Sequence, residues 1–448
     1  MRTGTRRPSA LRADLLVAGG GLGGVAAALA AARRGTRVIL TEESDWLGGQ
    51  MTTQSAPPDE HRWIEHEGAP ASYRRLRREI RSLVRRWYPL SEAARRQRFL
   101  NPGGGWVSRL CVEPWLAQAA IRGLLAPEIA RGTITFVPNS RPVAAALDRD
   151  EIVGVTFEHE DLGRLDISAD FVLDATEEGD LLPLAQVEYV TGFESSDDTG
   201  EPSAPSDRQP TNMQAITHAF AVDHRNGEDH TIDRPLTYER WRAFRPPFWP
   251  GPFLGWTYPS PRTLLPTYAS FVPNPDSAAD RIRAHSGDRP GDRDLWRFRR
   301  IVSRRQLAGD VTSDVTIVNW PMNDYFEAPV TDQPVALREA GLLAARELSL
   351  SLLYWLQTEA PRPDGGVGWP GLRLRGDVLG TQDGFAKRPY IRESRRIRAE
   401  VTIAEQDVSL RVRGSRGATT YHESVGVGFY RIDLHPSSGG DSYIDVEA

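Results

Sequence analysis

Five glycines within six residues, from position 19 to position 24, constrain the fold of this chain more than any other feature. Gly19, Gly21 and Gly24 have the G-x-G-x-x-G spacing. In that pattern the first glycine permits a tight turn, the second lets the backbone approach a pyrophosphate, and the third lets a helix pack closely against a strand. The cluster therefore predicts a strand-to-helix turn that binds a dinucleotide.

The residues around the glycines supply the elements that this turn requires. Residues 14–18 predict a buried strand, residues 25–34 a helix, and residues 36–42 a second strand. Such a β-α-β unit, here within residues 12–50, directs the N–H groups of its helix at the phosphates and an acid of its second strand at a ribose. The candidate dinucleotide contacts in it are Gly19, Gly21, Leu22, Gly23, Gly24, Glu42 and Glu43.

Composition narrows the classes of function. Cys111 is the only cysteine, which excludes a disulfide framework and a cysteine-ligated iron–sulfur cluster within the chain, so an organic cofactor is expected for electron transfer. A net charge of -5 gives no electrostatic case for nucleic acid. We therefore expect a small-molecule substrate.

The uncharged stretch at residues 15–32 invites interpretation as a signal sequence or a membrane span. Its glycines would make a poor hydrophobic helix, whereas the β-α-β unit explains the whole segment. We expect a cytoplasmic protein with no membrane partner.

Periodicity predicts further elements along the chain. Residues 71–88 predict a helix whose arginines form a solvated face, and the alternative is that these arginines form an anion-binding surface. Residues 334–359 predict a long helix. Short strands and turns predict a β-meander within residues 133–176, with separate strands at 164–168 and 171–173.

Two further segments distinguish FAD from NAD as the dinucleotide. Residues 47–50 read Leu-Gly-Gly-Gln, and residues 174–180 read Asp-Ala-Thr-Glu-Glu-Gly-Asp. Both resemble segments of the two-dinucleotide-binding-domain flavoproteins, in which a Gly-Gly turn runs along the flavin and a later Ala-Thr-acid-Gly-Asp motif returns to the cofactor. The resemblance implies FAD, with the additional contacts Gly48, Gly49, Gln50, Val143, Ala175, Thr176, Glu177 and Asp180.

A second glycine pattern does not predict a second nucleotide site. Gly366, Gly368 and Gly371 have the same spacing, but Pro370 interrupts it and two prolines precede it. Proline there prevents the helix that the fingerprint requires. We therefore predict a loop, and no separate NAD(P)H-binding unit.

Four segments, at residues 60–65, 318–325, 354–359 and 389–396, extend the resemblance over nearly the whole chain. They look like the FAD-dependent oxidoreductases grouped with the flavin subunit of heterodisulfide reductase. That family implies an α/β fold, namely a Rossmann-like FAD-binding domain with a small β-meander and an inserted α+β substrate domain. It also implies oxidoreduction through the flavin.

The resemblance suggests three regions. Residues 1–193 would form the FAD-binding domain, residues 194–385 the substrate domain, and residues 386–448 a return to the FAD-binding domain. Family members continue beyond a segment like residues 433–436 into a strand and helix that cover the flavin. We therefore expect the last region to be incomplete.

Candidate catalytic groups follow from flavin chemistry, which needs a base for the substrate proton and a positive group that stabilises the reduced flavin. Arg392, Arg395 and the neighbouring Arg396 suit the second role, or are surface arginines paired with Glu393. His61 and His435 are the candidate bases, and each is otherwise a structural histidine.

Other polar residues leave the chemistry open. Asp59, Glu60 and His61 have no second ligand group at a matching spacing, so we predict no metal. Asn319, Asn323, Asp324 and Tyr325 either line a substrate pocket or form a turn after a buried strand, and Pro321 favours the turn.

The sequence thus predicts an FAD-dependent dehydrogenase or oxidase that transfers a hydride between a small organic substrate and the flavin N5. The alternatives are a degenerate or split flavoprotein that binds nucleotide without catalysis, and a non-redox flavin isomerase. The substrate, the electron acceptor or donor and the oligomeric state have no signal in the sequence.

Overall fold

The computed structural model describes residues 9–260, 264–275, 293–424, 428 and 434–439. The chain forms two compact units. Unit 1 comprises Met1–Thr53, Ala117–Val190 and Ser394–Glu400, and unit 2 comprises Gln54–Leu116, Thr191–Glu393 and Val401–Ala448. Residues 54–116, which the sequence assigns to the FAD-binding domain, thus cluster with the second unit.

The secondary structure is mixed. The described strands are β1 (Ser9–Ala18), β2 (Val38–Thr41), β3 (Ile134–Val137), β4 (Ser140–Asp148), β5 (Glu151–His159), β6 (Gly163–Asp174), β7 (Tyr189–Val190), β8 (Ile216–Thr217), β9 (Phe220–His224), β10 (Thr257–Pro259), β11 (Pro266–Ser270), β12 (Arg293–Asp294), β13 (Arg300–Val302), β14 (Val315–Val318), β15 (Asp324–Tyr325), β16 (Leu372–Leu374) and β17 (Arg396–Ile397). The described α-helices are α1 (Leu22–Ala32), α2 (Ala71–Trp87), α3 (Glu92–Arg96), α4 (Pro114–Ala130), α5 (Leu181–Leu184), α6 (Ser196–Thr199), α7 (Tyr238–Ala243), α8 (Leu295–Phe298), α9 (Val335–Thr358), α10 (Gly376–Leu379), α11 (Glu405–Val408) and α12 (Leu410–Arg413).

A six-stranded sheet organises unit 1, with the strand order β3-β2-β1-β6-β5-β4. The first four strands in this order run parallel, and β6, β5 and β4 form an antiparallel meander. The sheet buries an apolar core that includes Leu16, Ile39 and Phe157. The predicted Rossmann-like core with an appended meander is therefore confirmed.

One boundary within the sheet was predicted wrongly. The sequence predicted two strands at residues 164–168 and 171–173, whereas β6 is a single strand of 12 residues. Residues 165–174 of β6 lie along β1, from Leu165 opposite Ser9 to Asp174 opposite Ala18. The partner strand keeps the polar Ala169-Asp170 step extended, which local sequence pattern does not reveal.

Unit 2 contains a four-stranded sheet of order β13-β14-β9-β16 and the long helix α9. Its core is rich in aromatic side chains, including Trp241, Trp296 and Trp320, which pack with the buried face of α9. The predicted helix at residues 334–359 is therefore confirmed. Residues 366–371 lead directly into β16 without a helix, as the proline argument predicted.

The arginine-rich helix α2 departs from its predicted face. Arg77 and Arg81 have side chains only 3% and 5% exposed, and both pair with carboxylates of the preceding segment. Arg77 bonds to Glu60 and Glu65, and Arg81 donates to Glu65 Oε2 at 3.0 Å. The prediction of a wholly solvated arginine face is wrong at these two positions, because residues 60–65 cover them.

Some predictions fall outside what the structure describes. Alternating apolar residues predict a strand around Val425, Val427 and Phe429, and composition predicts a loop at residues 274–291. The strand lies outside the described residues, as does most of the loop. Within the described residues, no helix has both the length and the apolar character needed to cross a bilayer.

Replacement of Arg77 tests the buried ion-pair network. Arg77→Met removes one partner and leaves Glu60 and Glu65 buried with less compensating charge, so we expect a loss of about 3–5 kcal/mol in the free energy of unfolding. Urea denaturation followed by circular dichroism measures it. The exposed Arg86→Met on the same helix is the control and should change stability by about 0.5 kcal/mol at most. A loss below about 1 kcal/mol for Arg77→Met would show that the network is not a stability determinant.

Candidate functional site

The glycine turn of unit 1 is built on backbone contacts that leave no room for side chains. Gly19 has φ +108° and lies against Ala175, so that a Cβ at Gly19 would overlap the Ala175 carbonyl. A Cβ at Gly24 would overlap the carbonyl oxygen of Gly19. Ala175 N donates to Ala18 O at 2.7 Å, which closes the ends of β1 and β6 against the turn.

The start of α1 completes this turn. Gly21 is the N-cap, and Val25 N donates to Gly21 O at 2.9 Å. The N–H groups before Val25, at Leu22, Gly23 and Gly24, lie in the first turn, where a helix has no intrahelical acceptor for them. A Cβ at Gly23 would meet no atom within 4 Å. The turn therefore presents backbone donors at an open position, which suits a phosphate.

Glu42 lies directly after β2, at the edge of the sheet where the turn begins. Its carboxylate accepts hydrogen bonds from Gly20 N at 2.8 Å and from Ser44 N at 3.2 Å. Burial raises the pKa of Glu42 to about 7, although the two hydrogen bonds lower it. The negative charges of the neighbouring Glu43 and Glu177 raise it further. A ligand that donates hydroxyl hydrogen bonds to Glu42 would favour its ionised form.

The segment after Glu42 returns to the glycine turn. Gly48 and Gly49 have φ of +114° and +54°, and Gly48 N donates to Gly20 O at 2.8 Å. Gln50 follows within a short 3-10 helix, Gly49–Met51. The Glu177 carboxylate lies beside both glycine segments, with Oε1 at 3.1 Å from the Cβ position of Gly21. The structure thus brings both predicted glycine segments and Glu177 together.

The segment after β6 forms a compact turn at the same edge. Thr176 N donates to Asp174 Oδ1 at 3.0 Å, and Asp180 N donates to Thr176 Oγ1 at 2.7 Å. Arg395 reaches this turn, donating to Glu178 O at 3.0 Å and to Asp180 Oδ1 at 3.2 Å. Arg395 is therefore an ion-pair partner of the Ala-Thr-acid-Gly-Asp motif.

Val143 lies in β4, where the pairing with β5 shifts register between Pro142 and Ala144. Its side chain is 37% exposed. The glycine turn of unit 1 is surrounded by most of the predicted cofactor contacts, namely the glycines, Glu42 and the residues 175–180, which include Glu177.

Unit 2 contains a separate polar cluster that joins two predicted catalytic residues. His435 Nδ1 lies 2.6 Å from Asp324 Oδ2, and Arg392 donates to Asp324 Oδ1 at 3.0 Å. Thr217 Oγ1 also donates to Asp324 Oδ1. The Asp324 side chain is fully buried, whereas that of His435 is 23% exposed.

The charges in this cluster favour an ionised carboxylate. Burial raises the pKa of Asp324, but the charges of Arg392 and His435 and the hydrogen bonds from His435 and Thr217 outweigh it, so the pKa lies below its usual value. An ionised Asp324 can only accept hydrogen bonds. The Nδ1 of His435 therefore carries a proton, and Nε2 is the nitrogen that can accept one when the ring is neutral.

Sequence reasoning did not connect Asp324 with His435, because 111 positions separate them. The available signal was Asp324 itself, a carboxylate that follows the apolar segment around β14. A carboxylate that is buried usually requires a charged partner. The idea that Arg392 is a surface arginine paired with Glu393 is wrong. Its side chain is 6% exposed and pairs with Asp324.

The remaining candidates lie elsewhere. His61 packs with its ring centroid 6.0 Å from that of Trp63, and Trp63 N donates to His61 Nδ1 at 3.2 Å. Arg396 belongs to β17, which pairs with β7. Burial raises the pKa of Cys111 to about 12, so its thiol is not activated as a nucleophile.

The comparison with protein families decides the class. A model described as FAD dependent oxidoreductase matches residues 14–448. The chain belongs to this family. It is therefore an FAD-dependent oxidoreductase, and its cofactor is FAD. The narrower grouping with the heterodisulfide reductase flavin subunit stays a prediction.

Similarity to solved structures is limited to parts of each chain. The myxobacterial chondrochloren halogenase CndH is 18% identical, with 49% of this chain and 45% of that chain covered and a TM-score of 0.25. The glycerol-3-phosphate dehydrogenase of Bacillus halodurans, solved with FAD, is 16% identical, with 48% and 40% covered and a TM-score of 0.28. This chain thus spans less than half the length of either protein. A search among curated proteins gave no match.

Substitution of Gly24 tests the close packing of the turn in this flavoenzyme. Gly24→Ala places a methyl group on the Gly19 carbonyl, so we expect a loss of about 1–3 kcal/mol in stability and of most bound FAD. The ratio of flavin to protein absorbance and the thermal unfolding midpoint report the two effects.

A second helical glycine provides a matched control. Gly123 lies within α4, and a Cβ there would meet no atom within 4 Å. Gly123→Ala should keep its FAD and gain about 0.5–1 kcal/mol, as expected for alanine in a helix. Full FAD content in Gly24→Ala would contradict the assigned role of Gly24.

Proposed function

We propose that this FAD-dependent oxidoreductase removes a hydride from a carbon of a small organic substrate, while His435 accepts the proton that the substrate releases. FAD, when bound, supplies the hydride acceptor at its N5 atom. The contact between His435 and the buried Asp324, with Nδ1 and Oδ2 2.6 Å apart, is the observation that carries the proposal.

Unit 1 supplies the residues proposed to hold FAD. The first-turn N–H groups of α1 would bind the pyrophosphate, because a helix N-terminus attracts anions. Glu42 would accept hydrogen bonds from ribose hydroxyls. Gly48, Gly49 and the segment from Ala175 to Asp180 would follow the rest of the cofactor, as in the flavoproteins that these motifs resemble.

His435 has the properties that a general base requires. Its ring is partly exposed, while its Nδ1 is fixed by a carboxylate that the solvent does not reach. Such a partner orients the imidazole and stabilises the imidazolium that forms when Nε2 takes a proton. General-base catalysis of this kind contributes about 10²- to 10⁴-fold to a rate.

Arg392 acts on Asp324 and thereby positions His435. Its guanidinium donates to Asp324 Oδ1, to Thr217 Oγ1 and to Ala215 O. It also lies over the ring of Tyr390, with 4.7 Å from Cζ to the ring centroid. These contacts fix the guanidinium, and its charge keeps Asp324 ionised in a buried position.

The visible absorption spectrum is the first test of the proposed function. The purified chain, with and without added FAD, should show a flavin band near ~450 nm that bleaches on anaerobic photoreduction, because the cofactor carries the redox chemistry. A colourless protein that ignores added FAD would reject the proposed flavin chemistry, whereas a bound flavin that is not reduced would support the alternative that binds nucleotide without catalysis.

Replacement of His435 or Asp324 tests proton transfer. With a donor identified from a panel of alcohols, amines and organic acids, His435→Gln and Asp324→Asn should slow flavin reduction by about 10²- to 10⁴-fold and leave the FAD content unchanged. Stopped-flow absorbance over a range of pH measures the rates. His422→Gln, at an exposed position, is the control. Wild-type rates in His435→Gln would reject His435 as the base.

The pKa of Glu42 predicts a pH dependence of FAD affinity. Ribose hydroxyls favour the ionised carboxylate, so binding releases the proton that Glu42 holds below its pKa of about 7. Affinity should be highest above pH 7 and should fall by up to about tenfold per pH unit below it. Fluorescence titration of apoprotein with FAD measures the change, and Glu42→Gln should abolish the pH dependence. An unchanged slope in Glu42→Gln would assign the effect to another group.

A further inference from the structure

Unit 2 contains a cavity of about 280 Å³ that the proposed flavin chemistry does not use. Its polar lining includes Tyr88, Glu113, Asp223, Arg225, Thr312 and Arg375. Since one water molecule has a share of about 30 Å³ in the liquid, the volume exceeds that of a small organic acid or a phosphate ion.

The charge of this cavity is set by three arginines around one carboxylate. Asp223 is fully buried in β9, and Arg373 donates to it through two nitrogens, at 3.1 and 2.8 Å. Arg375 donates to the same carboxylate at 3.1 Å and also pairs with Asp377. The Nε of Arg225 lies 3.3 Å from Asp223 Oδ2. Three guanidinium groups thus face two carboxylates.

Burial weakens the contribution of Glu113 to this charge balance. Burial raises the pKa of Glu113, although the hydrogen bonds from Tyr88 and Trp115 and the charge of Arg375 act in the opposite direction. The Tyr88 hydroxyl donates to Glu113 Oε2. A raised pKa disfavours the ionised form of Glu113, so it favours the positive balance of three guanidinium groups against two carboxylates, which a bound monoanion would reduce.

Hydrogen-bond donors of the lining are available for such an ion. The Nε of Arg225 is buried and makes no hydrogen bond in the structure, although it lies 3.3 Å from Asp223 Oδ2. Arg225 donates from NH1 to Thr312 Oγ1 at 2.6 Å, so the hydroxyl proton of Thr312 can serve another acceptor. The side chains of Arg225 and Arg375 are 29% and 20% exposed, so solutes can reach them.

We propose that this cavity is a binding site for a small monoanionic oxyanion, held by Arg225, Arg375 and Thr312. A guanidinium presents parallel N–H donors that match the two oxygens of a carboxylate or a phosphate, which a single ammonium group does not. The site is independent of the flavin chemistry proposed above.

Calorimetric titration of the full chain with its FAD tests the site, using sodium acetate and sodium phosphate as separate probes at low ionic strength. We expect saturable binding of one ion for at least one probe, and at least tenfold weaker binding in Arg225→Gln. Acetate alone would define a carboxylate site, and phosphate alone a phosphate site. Arg96→Gln, in an exposed ion pair with Glu92, should bind as the wild type does.

Two results would overturn the proposal: binding of neither ion, or equal binding in wild type and Arg225→Gln. If Arg225→Gln loses its cooperative thermal transition, Thr312→Val replaces it, since that change removes one hydroxyl and keeps every charge. The flavin spectrum of the same samples reports the proposed function separately. A colourless protein that binds acetate keeps this site, and a yellow protein that binds neither ion rejects it.

Discussion

The contact among three backbone segments, at Gly19, Gly24 and Ala175, is the constraint on which unit 1 depends. Neither glycine can carry a Cβ without overlapping a carbonyl group. Their absence of side chains lets the ends of β1 and β6 and the start of α1 meet at one point. Because the carboxyl ends of parallel strands share one edge of a sheet, the acid after β2 and the turn after β6 are brought to the same place. The contact therefore fixes both the fold and the position of the proposed cofactor contacts.

Arginine is the residue that makes the charged interior of unit 2 possible. Lys387 is the only lysine among 55 basic residues, and each buried carboxylate cluster described above in unit 2 contains at least one guanidinium. A planar guanidinium satisfies several acceptors at fixed positions, so it can compensate a carboxylate that water does not reach. Asp223, with three arginines, and Glu65, with two, show the same solution in different parts of this unit.

Local pattern predicted the elements but not the long-range contacts. The glycine spacing, the acid after β2 and the apolar periodicity of α2 and α9 are all properties of a few adjacent turns, and the structure has each of them. The burial of Arg77 depends on a segment 12 to 17 positions earlier, and the Asp324 to His435 bond spans 111 positions. Periodicity identifies the faces of a helix, but it does not say whether another segment covers the polar face. The single strand β6 was predicted as two because its continuity depends on its pairing with β1, which is also a long-range contact.

The buried clusters of unit 2 differ in whether solutes can reach one of their polar groups. A cluster without such a group suits a structural role, and a cluster with one suits the proposed chemical role. Glu60 and Glu65 are enclosed by Arg77 and Arg81, whose side chains are at most 5% exposed. Their hydrogen bonds join groups that solutes do not reach, which suits stability alone. Asp324 is equally buried, but its partner His435 is partly exposed and has a second ring nitrogen beyond the one that the carboxylate binds. Burial of a carboxylate is unfavourable by itself, and here it is accompanied by an oriented imidazole, as the proposed general base requires.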